Sequence, residues 1–239
     1  MASVRVLGVR VDCLDAAAAV GRIEALADQG GAHLVATVNP EFVMRARADR
    51  EFARVLESAA LCLADGGGVV WAARRQGCRL SERVTGIDLL RPLCELCVRR
   101  GFGLFLLGAG PGVAEEAART LTSQHPGLRV STHAGTPRPA DDEAALRVIA
   151  AAGPRVLLVA YGAPEQEHWI ARNLPRLQVG VAIGVGGALD FVARRVPRAP
   201  AWMRRLGLEW LFRLLRQPWR LKRMAVLPVY AFEVMRDGR

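Results

Sequence analysis

Short apolar runs of β type alternate along the chain with longer stretches whose apolar residues recur at helical spacing. That alternation predicts a βαβ architecture around a mostly parallel sheet. Strands are expected at Val4–Val11, His33–Val38, Ala60–Ala64, Gly103–Leu107, Leu128–Thr132, Val156–Tyr161 and Val179–Ile183. Helices are expected between them at Ala16–Asp28, Glu41–Ser58, Gly67–Gln76, Ile87–Arg100, Gly112–Ser123, Ala140–Ala152 and Glu165–Asn173. Nothing repeats. The fold class is therefore α/β, a Rossmann-like, mostly parallel sheet flanked by helices. In such sheets ligands bind beyond the carboxyl ends of the strands, where helix N-termini offer unpaired N–H groups.

The polar, glycine-rich segments fall at those places. Thr37-Val38-Asn39-Pro40-Glu41 follows a strand and opens a helix at Pro40, so Asn39 is either the helix N-cap or a ligand contact. Leu63-Ala64-Asp65-Gly66-Gly67-Gly68 lets the backbone approach a ligand closely, and Asp65 there either caps the helix, the reading favoured for this residue taken alone, or aims a carboxylate at the ligand. Gly108-Ala109-Gly110-Pro111-Gly112 resembles a dinucleotide fingerprint only loosely. Val113 stands where its third glycine belongs, and no acid ends the next strand to hold a ribose, which disfavours an NAD enzyme but keeps a phosphate over that helix N-terminus. Gly162 to Trp169 forms another strand-turn-helix, whose polar cluster includes Gln166 and Glu167. Gly184 to Phe191 adds a glycine-rich turn with one carboxylate, Asp190.

Composition is that of a folded protein, 51% hydrophobic and 23% charged, with a net charge of +10. The charge is not evenly spread. From Arg194 to Arg239 there are twelve Arg and Lys against three acids (Glu209, Glu233, Asp237), so nine of the ten net charges sit there, with three of the five tryptophans. This divides the chain into an α/β catalytic core, 1–193, and a basic, Trp- and Leu-rich appendage, 194–239. Met203, Leu206, Trp210 and Leu214 recur at helical spacing, with Arg204, Arg205, Arg213 and Arg216 largely on other sides, before Gln217-Pro218 interrupts the pattern. A basic amphipathic segment of this kind suits the surface of an anionic leaflet, each Arg or Lys contributing up to about 1 kcal/mol. A terminal helix packed on the core is the alternative. The apolar stripe also favours self-association as a homo-oligomer.

No apolar run reaches the roughly 18 residues a spanning helix needs. The N-terminus lacks the apolar core and small-residue cleavage site of a signal peptide, and the five cysteines are odd in number and unpatterned, which together indicate an intracellular protein. Cys94 and Cys97 form a C-x-x-C inside a helical stretch with no second pair at zinc spacing, which favours buried helix cysteines over a metal or redox site. The chain has no D-x-D, no G-x-S-x-G, no G-x-x-x-x-G-K-[ST] and no H-E-x-x-H. Chemistry without metal or cofactor is expected. Any diphosphate charge must then be met by backbone N–H groups and by arginine, of which there are 32 beside a single lysine, Lys222.

Taken in order, eight blocks resemble the WecG/TagA/CpsF family of bacterial glycosyltransferases. They are Thr37–Phe42 (TVNPEF), Leu63–Val70 (LADGGGVV), Arg83–Asp88 (RVTGID), Leu107–Ala114 (LGAGPGVA), Tyr161–Trp169 (YGAPEQEHW), Gly184–Phe191 (GVGGALDF), Arg198–Trp202 (RAPAW) and Glu209–Arg223 (EWLFRLLRQPWRLKR). In one departure, Arg194 stands where the family usually has glycine. The resemblance implies a metal-independent, inverting transferase at the cytoplasmic face of the membrane. It would move an N-acetylmannosamine-type sugar from a UDP donor to an undecaprenyl-diphosphate-linked sugar, for a cell-envelope polymer such as teichoic acid or exopolysaccharide. The family's general base falls on Asp65, with Thr37, Asn39, Arg83 and Gln166 around it and the tail arginines Arg213, Arg220 and Arg223 completing the site. Gly66, Gly108, Ala109, Gly110, Glu167 and Asp190 are further candidates for substrate contact. Two other classes are weighed against this: a nucleotide-binding enzyme using the Gly108–Gly112 loop, and a nucleic-acid binder using the basic tail. The regular interleaving of Leu and Trp with Arg speaks against nucleic acid.

Overall fold

The computed structural model describes residues 2–197, 199–200, 203, 209–216 and 225–237. Six parallel strands form its centre: β3 (His33–Val38), β4 (Leu61–Ala64), β5 (Gly103–Gly108), β6 (Arg129–His133), β7 (Val156–Ala160) and β8 (Val181–Gly184), in the order β4-β3-β8-β7-β5-β6. They read as near-continuous hydrophobic runs because both faces are covered. Leu34, Ala36, Val38, Leu157 and Val159 enter one layer with Phe42, Phe52, Val69 and Trp169. Their neighbours Val35, Val156, Leu158 and Ile183 enter the other, with Ile23, Leu89, Leu93 and Ala117.

Helix ends follow the capping chemistry of their first residues. Helix α1 (Ala16–Asp28) opens on Asp15, whose Oδ1 accepts the Ala18 N–H at 2.8 Å. The stretch expected as one helix from Glu41 to Ser58 is two, α2 (Pro40–Ala48) and α3 (Arg50–Ser58). The reason is Asp49: at φ −122° and ψ 104° it leaves the helix, and its carboxylate takes the N–H groups of Glu51 at 2.9 Å and Phe52 at 3.1 Å. A short acidic side chain competes well for those N–H groups, and the helical periodicity carries through the break. Helices α4 (Gly67–Arg75), α5 (Gly86–Arg100), α6 (Val113–Gln124), α7 (Asp142–Ala152) and α8 (Glu165–Asn173) lie where the apolar spacing predicts them, and α9 (Ala188–Val192) follows β8.

The apolar run Val4–Val11, expected as one strand, is a hairpin of β1 (Ser3–Val6) and β2 (Val9–Asp12). Leu7 and Gly8 turn the chain with φ 49° and 91°, the two positive values a tight hairpin loop requires. A leucine at the first of those positions hides the turn from the sequence.

The cysteines also hold a contact that their spacing does not announce: Cys13 and Cys78, 65 residues apart, form a disulfide. Cys94 and Cys97 are buried free thiols on α5, each pushed up to about 12 chiefly by burial, as expected of helix core cysteines.

Within the appendage, helices are described at Glu209–Arg216 and Val226–Asp237. The expected amphipathic stretch from Ala201 to Leu208, apart from Met203, lies outside the described residues, as do Gln217 to Met224. The last helix is packed on the core. Tyr230 and Val234 are buried in the same layer as Phe42 and Val43 of α2, and Arg47 pairs with Glu233 at 3.1 Å. No helix among the described residues is long and apolar enough to cross a membrane.

Arg194, at the position where the resemblance leads one to expect glycine, has φ 58°. It therefore occupies the left-handed conformation that glycine accepts freely and other residues adopt at a cost of about 1 kcal/mol. Arg194→Gly is expected to raise the free energy of unfolding by up to about 1 kcal/mol in urea titrations, part of the gain being offset by the greater freedom of glycine in the unfolded chain. A clear loss of stability would contradict the conformation.

Candidate active site

Because β4, β3, β8 and β7 are neighbours and parallel, the four loops that leave their carboxyl ends stand side by side. They enclose a cavity of about 670 Å³, a volume within the usual range for small-molecule sites. The loops after β3, β4 and β7 each bring a polar side chain to it.

From β3, Asn39 does both things the sequence leaves open. At φ −119° and ψ 173° it is the N-cap of α2, its Oδ1 accepting the Phe42 N–H at 3.1 Å, and it also lines the cavity. Thr37, one turn of the pleat earlier, donates its hydroxyl to the Gly184 carbonyl at 3.2 Å, which ties β3 to the end of β8.

From β4 comes Asp65. Its N–H donates to the Val38 carbonyl at 2.8 Å, extending the β3–β4 ladder by one residue. The chain then reverses at Gly66, with φ 100°. Gly66 is the N-cap of α4, and that helix takes no side-chain cap. The capping role favoured for Asp65 on sequence is therefore not the one it fills, because the bend places the cap one residue later. Asp65 lines the cavity instead. Gly68 completes the bend under close packing: a Cβ there would stand 3.0 Å from Pro40 Cγ and 3.4 Å from Tyr230 Cε1.

Arg83 reaches the same cavity from the segment between α4 and α5. The Val84 N–H donates to the Ala64 carbonyl at 2.8 Å, next to Asp65, and Arg74 holds the segment by donating to the carbonyls of Leu80 at 2.7 Å and Ser81 at 2.8 Å. Thr85 then caps α5, accepting the Asp88 N–H at 3.2 Å.

From β7, α8 delivers Gln166, 2% exposed, and behind it Glu167, fully buried. Gln166 Oε1 accepts the Gly186 N–H at 2.9 Å, and its Nε2 donates to Glu167 Oε1 at 2.7 Å. Glu167 does not line the cavity, and Oε2 has no hydrogen-bond partner among the described residues. Burial pushes this carboxyl up from 4.5 to about 8, the Gln166 N–H opposing only in part.

Thr37, Asn39, Asp65, Gly66, Arg83 and Gln166 are thus brought together. Gly108, Ala109 and Gly110 do not line the cavity, because β5 lies one strand beyond β7; Asp190 is not among its lining residues either. Arg213 falls in the helix Glu209–Arg216, and Arg220 and Arg223 lie outside the described residues. The structure adds residues the sequence did not single out: Trp71, one turn into α4, and Leu227, Tyr230 and Ala231 of the last helix. The Tyr230 hydroxyl donates to the Gly68 carbonyl at 3.1 Å. A contact 162 residues apart leaves no local signal. Among the described residues no group of three or more His, Cys, Asp or Glu is placed to hold a metal ion.

A cavity at the carboxyl edge of a parallel sheet, with a loop carboxylate and an arginine on its walls, has the place and the polar groups of an α/β enzyme's active site. The chain belongs to the glycosyl transferase WecG/TagA/CpsF family, whose sequence profile matches residues 4–239. It is similar to the N-acetylglucosaminyldiphosphoundecaprenol N-acetyl-beta-D-mannosaminyltransferase of Bacillus subtilis (strain 168), 35% identical over 212 residues that cover 89% of this chain and 82% of that protein. The protein of the same name from Staphylococcus aureus (strain MW2) is 31% identical over 240 residues, covering 100% of this chain and 94% of the relative. The protein is a glycosyltransferase.

The buried Glu167 makes stability depend on pH. The folded chain keeps this proton to about pH 8, whereas the unfolded chain releases it near 4.5, so the folded state binds more protons in between. The contribution is complete below pH 4.5 and is lost as pH rises to about 8. Glu167→Gln, which does not titrate, is expected to flatten that part of the stability curve in urea titrations across the range; an unchanged slope would show that the carboxyl is not held neutral.

Proposed function

We propose that the cavity binds a UDP-linked N-acetylmannosamine-type sugar and transfers it to N-acetylglucosamine carried on undecaprenyl diphosphate. The relatives' names specify that acceptor and a β-linked product. The observation that carries the reading is the convergence of Asp65, Arg83, Thr37, Asn39 and Gln166 on one cavity.

The reaction is an in-line displacement. The acceptor hydroxyl oxygen attacks the anomeric carbon, the bond from that carbon to the UDP oxygen breaks, and UDP leaves on the opposite face. One base must take the acceptor proton, a role worth typically about 10² to 10⁴-fold. Asp65 fits it, as a carboxylate on a backbone-fixed bend at the cavity wall. The leaving diphosphate needs positive charge, which Arg83 and the tail arginines Arg213, Arg220 and Arg223 supply in place of a metal ion. The basic appendage adsorbs to an anionic membrane face, where the lipid acceptor lies, and its closure over the cavity excludes water. The last helix contributes by holding the Asp65 bend: Tyr230 packs on Gly68 and donates to its carbonyl.

Asp65→Asn keeps the size of the side chain and removes the base. Turnover is expected to fall by at least about 10²-fold with UDP affinity retained, read by mass spectrometry of the lipid product and by calorimetry. Near-normal turnover would remove Asp65 as the base. Replacing Arg220 and Arg223 together by Gln is expected to weaken both binding to vesicles containing anionic lipid and transfer. Full transfer with vesicle binding lost would separate the two roles and refute their coupling.

A further inference from the structure

Glu167 has no direct part in the transfer described above, and its position is a costly one. It is fully buried in the first turn of α8, with one carboxyl oxygen on Gln166 and the other without a partner among the described residues. A half-satisfied buried acid destabilises a fold, and an apolar residue would fill the same space at lower cost. What the carboxyl does is set the direction of the Gln166 amide. On one side of that amide stands the Gly186 N–H, which can only donate and so must meet Oε1. Nε2 is then turned toward Glu167, which must offer an oxygen, as it does. The two contacts agree on one orientation: turning the amide over would set N–H against N–H at the Gly186 end, and at the other end Nε2 would lose the acceptor that Glu167 Oε1 now supplies.

The backbone makes room for this arrangement. A Cβ on Gly184 would stand 2.6 Å from Gln166 Nε2, closer than real Cβ atoms come, so the end of β8 has to be glycine for the amide and the carboxyl to lie against it. The carbonyl of the same Gly184 accepts the Thr37 hydroxyl. Of the two hydrogens on Nε2 one is committed to Glu167, and the other remains for a ligand in the cavity that Gln166 lines.

We infer that Glu167 is a positioning residue for the transfer, locking the Gln166 amide so that it presents an N–H, never its oxygen, to an oxygen of the bound nucleotide sugar. The identity of the ligand rests on the function proposed above; the lock itself does not.

A double-mutant cycle separates positioning from support of the fold. Glu167→Met removes the acceptor at similar volume and is expected to lower kcat/KM by about tenfold, the worth of one hydrogen bond. In a Gln166→Met background the same change is expected to have little further effect, because there is no amide left to orient. Additive losses would overturn the inference. Glu167→Gln still offers an oxygen to Nε2, so it is expected to hold kcat/KM within about threefold of the unaltered enzyme. A loss of tenfold or more in that variant would overturn the inference even if Glu167→Met failed to fold. A second readout needs no turnover: in protein labelled with ¹⁵N-glutamine, the Gln166 Nε2 protons should exchange with solvent at least about tenfold faster in Glu167→Met than in the unaltered chain. Equal exchange rates overturn the lock. An unaltered chain that transfers no sugar would instead count against the proposed function, and exchange would still decide the role of Glu167.

Discussion

The hydrogen bond from the Asp65 N–H to the Val38 carbonyl is the contact on which the site depends. It carries the β3–β4 ladder one residue past the strand, so the backbone position of Asp65 is set by the sheet. Immediately afterwards the chain turns at Gly66 in a conformation that a side chain would strain, and Gly68 is pressed between Pro40 and Tyr230. Asp65 is thus held on a rigid element, as the proposed role of general base requires. The neighbouring Ala64 carbonyl takes the Val84 N–H and brings the Arg83 segment alongside. One short stretch of backbone therefore anchors both the acid and the arginine.

The same economy appears across the cavity. Thr37 and Gln166 are both tied to the end of β8, the first through the Gly184 carbonyl and the second through the Gly186 N–H. Strand order decides which loops take part. With β4, β3, β8 and β7 adjacent, their four loops share one cavity, while the glycine-rich loop after β5 stands outside it. The C-terminal helix closes the arrangement from the far end of the chain. It rests on α2 and on the Asp65 bend, which makes Leu227, Tyr230 and Ala231 part of the wall.

Much of this is legible in the sequence. The strand His33–Val38 and the helices Ala16–Asp28 and Glu165–Asn173 have the bounds their periodicity predicts, because each is bordered by residues that cap or break it. Asn39, Asp65 and Gln166 stand out as polar residues in the turns that follow apolar runs, whereas Arg83 and the site role of Thr37 come only from the resemblance to the family. What was not legible depends on contacts far apart or on backbone angles. Asp49 divides a helix whose apolar spacing runs on unbroken; Leu7 accepts a positive φ that its side chain does not advertise; Cys13 meets Cys78 with no spacing to mark it. Asp65 looked like a cap because the sequence does not reveal that Gly66 takes that position. Glu167 looked like a substrate contact because the burial that sets it behind Gln166 is a property of packing alone.

The central claim is that UDP sits over the four-strand edge, between Asp65 and Arg83. A crystal structure of the UDP complex tests it directly. The account predicts the β-phosphate within hydrogen-bonding distance, about 3 Å, of the Arg83 guanidinium, with open space in front of the Asp65 carboxylate for sugar and acceptor. UDP seated instead over the Gly108–Gly112 loop at the end of β5, with the Asp65 cavity empty, would contradict it.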